Sequence, residues 1–165
     1  MKSLDEAPIG SVVFERTEQY EAVVTTHQVH RNGCHRVVLQ ERRLKDGKPA
    51  ARESVDIQTV EVRRRGEGGV IDVEAANRVL GLRARDWTSG YTGEICVVGS
   101  EPAGGRSFLL QSAGRTSAGD RVEAVWVDEL FVELMESERT VEEARAKAPG
   151  LTGSIDCGPR GTSQV

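Results

Sequence analysis

The sequence predicts an all-β fold built as two tandem copies of one small unit. Three observations carry that reading. Short runs are rich in β-branched residues, Asn-Gly and Asp-Gly turn signals separate them, and the chain repeats itself at a nearly fixed offset.

In the first copy, Ser11-Val12-Val13-Phe14-Glu15 and Tyr20-Glu21-Ala22-Val23-Val24-Thr25-Thr26 read as strands. Arg31-Asn32-Gly33 signals a turn, and Arg36-Val37-Val38-Leu39-Gln40 follows as a third strand. Lys45-Asp46-Gly47-Lys48 carries the Asp-Gly hairpin cue before a fourth strand ending at Val55, and Thr59-Val60-Glu61-Val62 closes the unit. The alternation of Phe14 with its neighbours places it in the core.

Residues 9–62 align with residues 80–134. At an offset of 71, Gly10, Thr17, Tyr20, Gly33, Leu39 and Gln40 meet Gly81, Thr88, Tyr91, Gly104, Leu110 and Gln111. One extra residue before Gly119 raises the offset to 72. There Gly47, Val55, Asp56, Val60 and Glu61 meet Gly119, Val127, Asp128, Val132 and Glu133. The matched residues are turn glycines and the ends of apolar runs, so the second copy is expected to repeat the first strand for strand. Five short strands in such a length suit a small SH3-like β-barrel. The expected organisation is a first barrel over 1–65, a linker with a short helix over 66–79 and a second barrel over 80–135. A helix over 136–148 and a free or partner-bound tail over 149–165 complete it.

The connector reading rests on Gly66-Glu67-Gly68-Gly69, a linker composition, and on Asp72 as N-cap of a short helix to Val79. Thr140 and Glu143 have capping-box spacing, and Pro149-Gly150 ends that helix. The tail is small, polar and Gly-rich, with Leu151 and Ile155 among its few apolar anchors for a neighbour.

The 165 residues carry 22 basic and 26 acidic side chains, for a net charge of -4, with 38% hydrophobic, 4% aromatic and 29% charged residues. That is too apolar for a disordered chain, and no run approaches the length of a spanning helix. MKSLDEAPIG lacks the apolar core of a signal peptide, so a cytoplasmic product is expected. The three cysteines, Cys34, Cys96 and Cys157, do not make a disulfide framework, and no intrachain bridge is expected; Cys157 is the candidate for a link between subunits. The acidic balance argues against a duplex-DNA binder.

His27, His30, Cys34 and His35 are the only cluster with metal-ligand chemistry, and His27, His30 and Cys34 are the weak zinc candidates. Their counterparts in the second copy are Val98, Glu101, Gly105 and Arg106, so the fold does not require a metal there. The plainer expectation is two surface histidines beside a half-buried cysteine. No metal, cofactor or small-molecule substrate is assigned. The chain has no G-x-S-x-G, H-E-x-x-H or phosphate-loop signature, and no catalytic residue is assigned. Asp56 and Asp128, at matched places, are expected to accept backbone N–H groups of the turn that follows. Arg63-Arg64-Arg65 can contact acidic partner surfaces. Trp87 and Trp126, whose counterparts are Arg16 and Ser54, are not needed by the repeated unit and are candidates for a contact surface, Trp126 for the interface between copies.

Several of these segments together resemble a family of short bacteriophage and prophage proteins. They are Tyr20 to Thr26, Asn32-Gly33-Cys34-His35-Arg36-Val37, Leu39-Gln40, Leu44-Lys45-Asp46-Gly47-Lys48-Pro49 and Val55-Asp56. Ala22 stands where the family tends to have glycine, although Gly93 restores it in the second copy, which lacks the cysteine. The resemblance implies a phage-encoded, non-enzymatic small barrel. The expected role is a virion structural or accessory protein that decorates the capsid or joins neck or tail parts. It would contact other virion proteins and copies of itself, without nucleic acid or membrane. The alternative is an intracellular phage factor that binds a host protein or nucleic acid.

Overall fold

The computed structural model describes residues 1–135 and 161–162. A 3₁₀ turn at Leu4–Glu6 leads into β1 (Val12–Glu15), β2 (Tyr20–His30) and β3 (His35–Glu41). A two-residue Asp46-Gly47 turn joins β4 (Leu44–Lys45) to β5 (Lys48–Pro49), with both turn residues at positive φ as the Asp-Gly cue demands. Next come β6 (Glu53–Asp56), a 3₁₀ turn at Ile57–Thr59, and β7 (Val60–Arg64). The connector holds α1 (Val73–Val79), whose N-cap Asp72 accepts from the Ala75 N–H at 3.0 Å. The second copy runs through β8 (Arg83–Asp86), β9 (Thr92–Ser100), β10 (Arg106–Gln111), β11 (Val125–Asp128), a 3₁₀ turn at Glu129–Phe131 and β12 (Val132–Leu134).

The fold is all-β and antiparallel, with the main ladder ordered β11-β10-β9-β2-β3-β6. β1 joins β2 to β7, and β8 joins β9 to β12. Each copy therefore has the strand order fifth-first-second-third-fourth. Val37–Leu39 and Phe108–Leu110 occupy matching places, between β2 and β6 and between β9 and β11. No sheet closes on itself, because a 3₁₀ turn rather than a ladder connects the fourth strand to the fifth in each copy.

The repeat extends to individual hydrogen bonds. Gly10 N–H donates to Val24 O and Gly81 N–H to Ile95 O, both at 2.8 Å. Gln40 and Gln111 each donate through Nε2 to the carbonyl of the next residue and to the strand-four approach, at Ala50 and Val122. Asp56 accepts from Gln58 N–H at 2.7 Å and Asp128 from Leu130 N–H at 2.9 Å, as their matched positions predict.

β2 is longer than its β-branched run because its second half has a partner that the local sequence does not reveal. Val12–Glu15 pairs with Tyr20–Val23, and His27–His30 then pairs with Val97–Ser100 of β9. This seam is pseudo-twofold. The 71-residue offset turns the His27↔Ser100 pair into Val98↔Val29 and returns Gln28↔Gly99 to itself. One continuous core results, from Val13, Val24, Val37, Leu39 and Val55 through Val29 and Val98 to Ile95, Phe108 and Leu110.

Two expectations are corrected here. Phe14 is only half-buried, with the Arg63 guanidinium 5.1 Å from its ring centre, while its neighbour Val13 is in the core. The glycine run after Arg65 is not a free linker. Ile9 N–H donates to Gly69 O at 3.1 Å, Gly68 N–H to Ile9 O at 3.0 Å, and Gly66 N–H to Ser11 Oγ at 2.8 Å. Of the tail, read as free or partner-bound, the described residues form β13 (Gly161–Thr162), which pairs antiparallel with β6 of its own chain. The helix expected over 136–148 and the rest of 149–165 lie outside the described residues.

A Cβ on Gly68 would sit 2.3 Å from Ile9 O, whereas one on Gly69 meets nothing within 4 Å. Gly68→Ala is therefore expected to lose about 1–3 kcal/mol of stability through overpacking. Gly69→Ala should stay within about 0.5 kcal/mol of the parent. Urea denaturation of the two variants checks the contrast, and equal losses would refute it.

Candidate interaction surface

The turn after β1 packs on the first 3₁₀ turn between strands four and five, and the turn after β8 packs on its counterpart. The backbone frame is the same: Arg16 N–H donates to Thr59 O at 3.0 Å and Trp87 N–H to Phe131 O at 3.1 Å. A buried carboxylate ends the first strand of each copy and holds the turn. Glu15 accepts from the Thr17 and Glu18 N–H groups. Asp86 accepts from the Thr88 N–H and from the Thr88 and Ser89 hydroxyls. The Ser89 and Thr88 hydroxyls hold the Asp86 carboxyl below its ordinary range.

The side chains on that frame differ between copies. In the first, Arg16 donates to the carbonyls of Thr59 and Gln58. Gln58 exchanges hydrogen bonds with the Lys2 backbone, at 2.9 and 2.6 Å. In the second, the counterparts of Arg16, Gln58 and Thr59 are Trp87, Leu130 and Phe131. Trp87 meets Phe131 edge to face at 5.6 Å and directs its indole N–H at Leu130 O, 3.4 Å away. Leu130 is 80% exposed and Trp87 55%, and Leu134 at the end of β12 and Met135 just after it are exposed as well. β12 pairs only with β8 among the described residues, so this apolar run lies on a sheet edge. Beside it Arg106 grips Glu129 with two hydrogen bonds, 3.1 and 2.6 Å, which raises the guanidinium pKa and lowers that of the carboxyl.

Trp87 was legible as a contact candidate; Leu130, Phe131, Leu134 and Met135 were not singled out. Comparing the copies position by position would have found Leu130 and Phe131, where polar residues are replaced by apolar ones on the same turn. Trp126 lies over the seam instead. A Cβ on Gly99 would be 3.4 Å from Trp126 Cζ3 and 3.7 Å from Thr26 Cγ2. Arg63 pairs with Glu61 at 3.1 Å as well as covering Phe14, and Arg64 and Arg65 are exposed at the end of the first copy. Leu151, Ile155 and Cys157 lie outside the described residues.

The His27, His30, Cys34 set is not a metal site as folded, and two readings of it are corrected. His27 is not at the surface but wholly buried. Its Nε2–H donates to Ala7 O at 2.8 Å and its Nδ1 accepts from Ile71 N–H at 3.3 Å, which fixes a neutral tautomer joining the N-terminal segment and connector to β2. Cys34 is 3% exposed and disulfide-bonded, against the expectation of no bridge; Cys96 is free. No group of three or more metal-binding side chains comes together among the described residues. Cys96 lies in a cleft of about 340 Å³ with Arg31, Arg83, Glu94 and Arg121, where burial pushes its thiol pKa up despite nearby Arg31.

Comparison of the chain with protein-family models, curated proteins and solved structures finds no match. Among the described residues no helix is long and apolar enough to cross a membrane.

Burial lowers the pKa of His27, His30 and His35 from the ordinary 6.5, with that of His30 reaching about 4 as Arg36 and His35 add to the effect. The unfolded chain therefore takes up protons below pH 6.5 that the folded chain refuses. Stability is complete above pH 6.5 and is lost as pH falls from there toward 4, on the order of 1.4 kcal/mol per pH unit for each histidine at most. Urea midpoints measured from pH 7.5 to 4.5 should decline through this window. A midpoint that is flat from 6.5 to 5 contradicts the buried neutral histidines.

Proposed function

We propose that this chain is a non-enzymatic bacteriophage virion structural or accessory protein, a capsid-decoration or neck or tail connecting component that acts through protein–protein contacts. The observation that carries the contact role is the exposed apolar edge of Trp87, Leu130, Phe131, Leu134 and Met135. On the same backbone frame the first copy is polar and is capped by its own N-terminal segment through Gln58. An exposed apolar cluster with an aromatic pair at its centre is the composition of a contact core. The phage context is supported by the resemblance of residues 9–62, with its Asn-Gly-Cys turn.

In this reading each copy is an SH3-like barrel. The strand order β7-β1-β2-β3-β6 and the 3₁₀ turn between strands four and five support it. The partners are other virion proteins and further copies of the chain.

Two measurements test the proposal. The protein should copurify with intact particles in fixed stoichiometry; its absence from particles would favour the intracellular factor. The triple variant Trp87→Arg, Leu130→Gln, Phe131→Thr gives the second copy the residues of the first. It is expected to fold, with a Tm within a few degrees of the parent, and to incorporate into particles at least tenfold less. Incorporation at the parental level by the folded variant would remove the apolar edge as the contact surface.

A further inference from the structure

We propose that the cleft around Glu94 and Cys96 is an anion site that takes a small phosphorylated ligand, held by the guanidinium groups of Arg31, Arg83 and Arg121. This goes beyond the contact reading and does not depend on it, since the cleft shares no residue with the apolar edge.

Strand register builds the cleft. Arg83 of β8 and Gln111 of β10 each lie opposite Glu94 of β9, so the three form one row across the sheet. Cys96 stands two residues further along β9, on the same outward face as Glu94, while Ile95 and Val97 are buried on the other. Arg31 arrives from the first copy. Its N–H donates to Cys96 O at 2.8 Å, and its guanidinium pairs with Glu94. Gln111 Nε2 donates to Ser112 O and Val122 O, at 3.0 and 2.9 Å, and so fixes the approach to strand four that carries Arg121. The space of about 340 Å³ thus lies where the two copies meet, a preferred place for ligand clefts.

Glu94 answers only one of the three cations. Arg83 and Arg121 are exposed and make no ion pair among the described residues. Three guanidinium groups against one carboxylate leave an excess of two positive charges, on a chain whose net charge is -4. Like charges gathered in one cleft repel each other and draw anions to it.

The first copy shows that the frame does not need these charges. The row Arg83, Glu94 and Gln111 is Val12, Val23 and Gln40 there, with the same pairing. Thr25 is the counterpart of Cys96, and the counterparts of Arg31 and Arg121 are Pro102 and Pro49. The glutamine that shapes the strand-four approach is common to both copies; the arginines are not.

A phosphomonoester suits this arrangement. It carries roughly -1.5 to -2 charges at neutral pH and three acceptor oxygens, which match the excess of two and the three planar forks. A single carboxylate brings one charge and two oxygens, and leaves part of the set unanswered.

The test titrates the full chain with pyrophosphate by calorimetry, at an ionic strength held constant with chloride. The expected result is saturable one-to-one binding with a Kd below about 1 mM. The double variant Arg83→Gln, Arg121→Gln should weaken it at least tenfold. The control Arg64→Gln, Arg65→Gln, which removes the same charge from exposed positions of the first copy, should stay within twofold of the parent. Saturating pyrophosphate should also slow alkylation of Cys96 by iodoacetamide at least threefold in the parent, read on the Cys96 peptide by mass spectrometry. No saturable binding, an equal loss in both double variants, or unslowed alkylation of Cys96 in the parent would overturn the proposal.

Discussion

The pairing of His27–His30 with Val97–Ser100 is the constraint on which the rest of the molecule depends. Each long strand spends its first half on its own copy, β2 against β1 and β9 against β8. The second half of each is left with an open edge, and unpaired backbone groups in a buried strand cost about as much as lost hydrogen bonds. Pairing the two edges satisfies both at once. Because the halves are the same unit, the shared register is self-complementary about Gln28 and Gly99. Val29 and Val98, neighbours across this seam, are wholly buried and fuse what would be two marginal cores into one.

Divergence between the copies follows from which side chains the common frame has to accommodate. At the centre of the seam, Gln28 accepts from Ser54 Oγ at 2.8 Å, and Arg36 donates to Ser54 Oγ and O. The counterparts of Gln28 and Ser54 are Gly99 and Trp126, where the missing Cβ leaves room for the indole. A polar pair in one copy is thus a small–large pair in the other, at the same two positions. The turn between strands four and five shows the same division, polar and covered in the first copy, apolar and exposed in the second.

Much of this fold was legible because its determinants are local. The Asp-Gly hairpin, the Asp56 and Asp128 caps and the α1 start at Asp72 each rest on a few adjacent residues, and the repeat shows in the sequence itself. What was not legible depends on distant partners. His27, Gln28 and His30 lie beyond the strand read from Tyr20 to Thr26, yet they are strand because β9 lies alongside. His27 is buried because Ala7 and Ile71, far away in sequence, satisfy its two nitrogens. Gly66 and Gly68 read as linker because glycine composition cannot distinguish freedom from close approach, and here Ile9–Ser11 lies against them. The Cys34 bridge was missed because three cysteines far apart in sequence carry no local cue to a pairing. The apolar edge was half-seen, through Trp87, since Leu130 and Phe131 look like ordinary core residues until their counterparts are compared.

Native-state hydrogen exchange across the seam tests this account most directly. If the two copies form one cooperative unit around β2–β9, peptides covering 27–30 and 97–100 exchange only through global unfolding. Their protection then matches that of the core strands β3 and β10, with a single unfolding transition in denaturant. Seam amides that exchange well before those of β3 and β10, with the two halves unfolding in separate transitions, would contradict it.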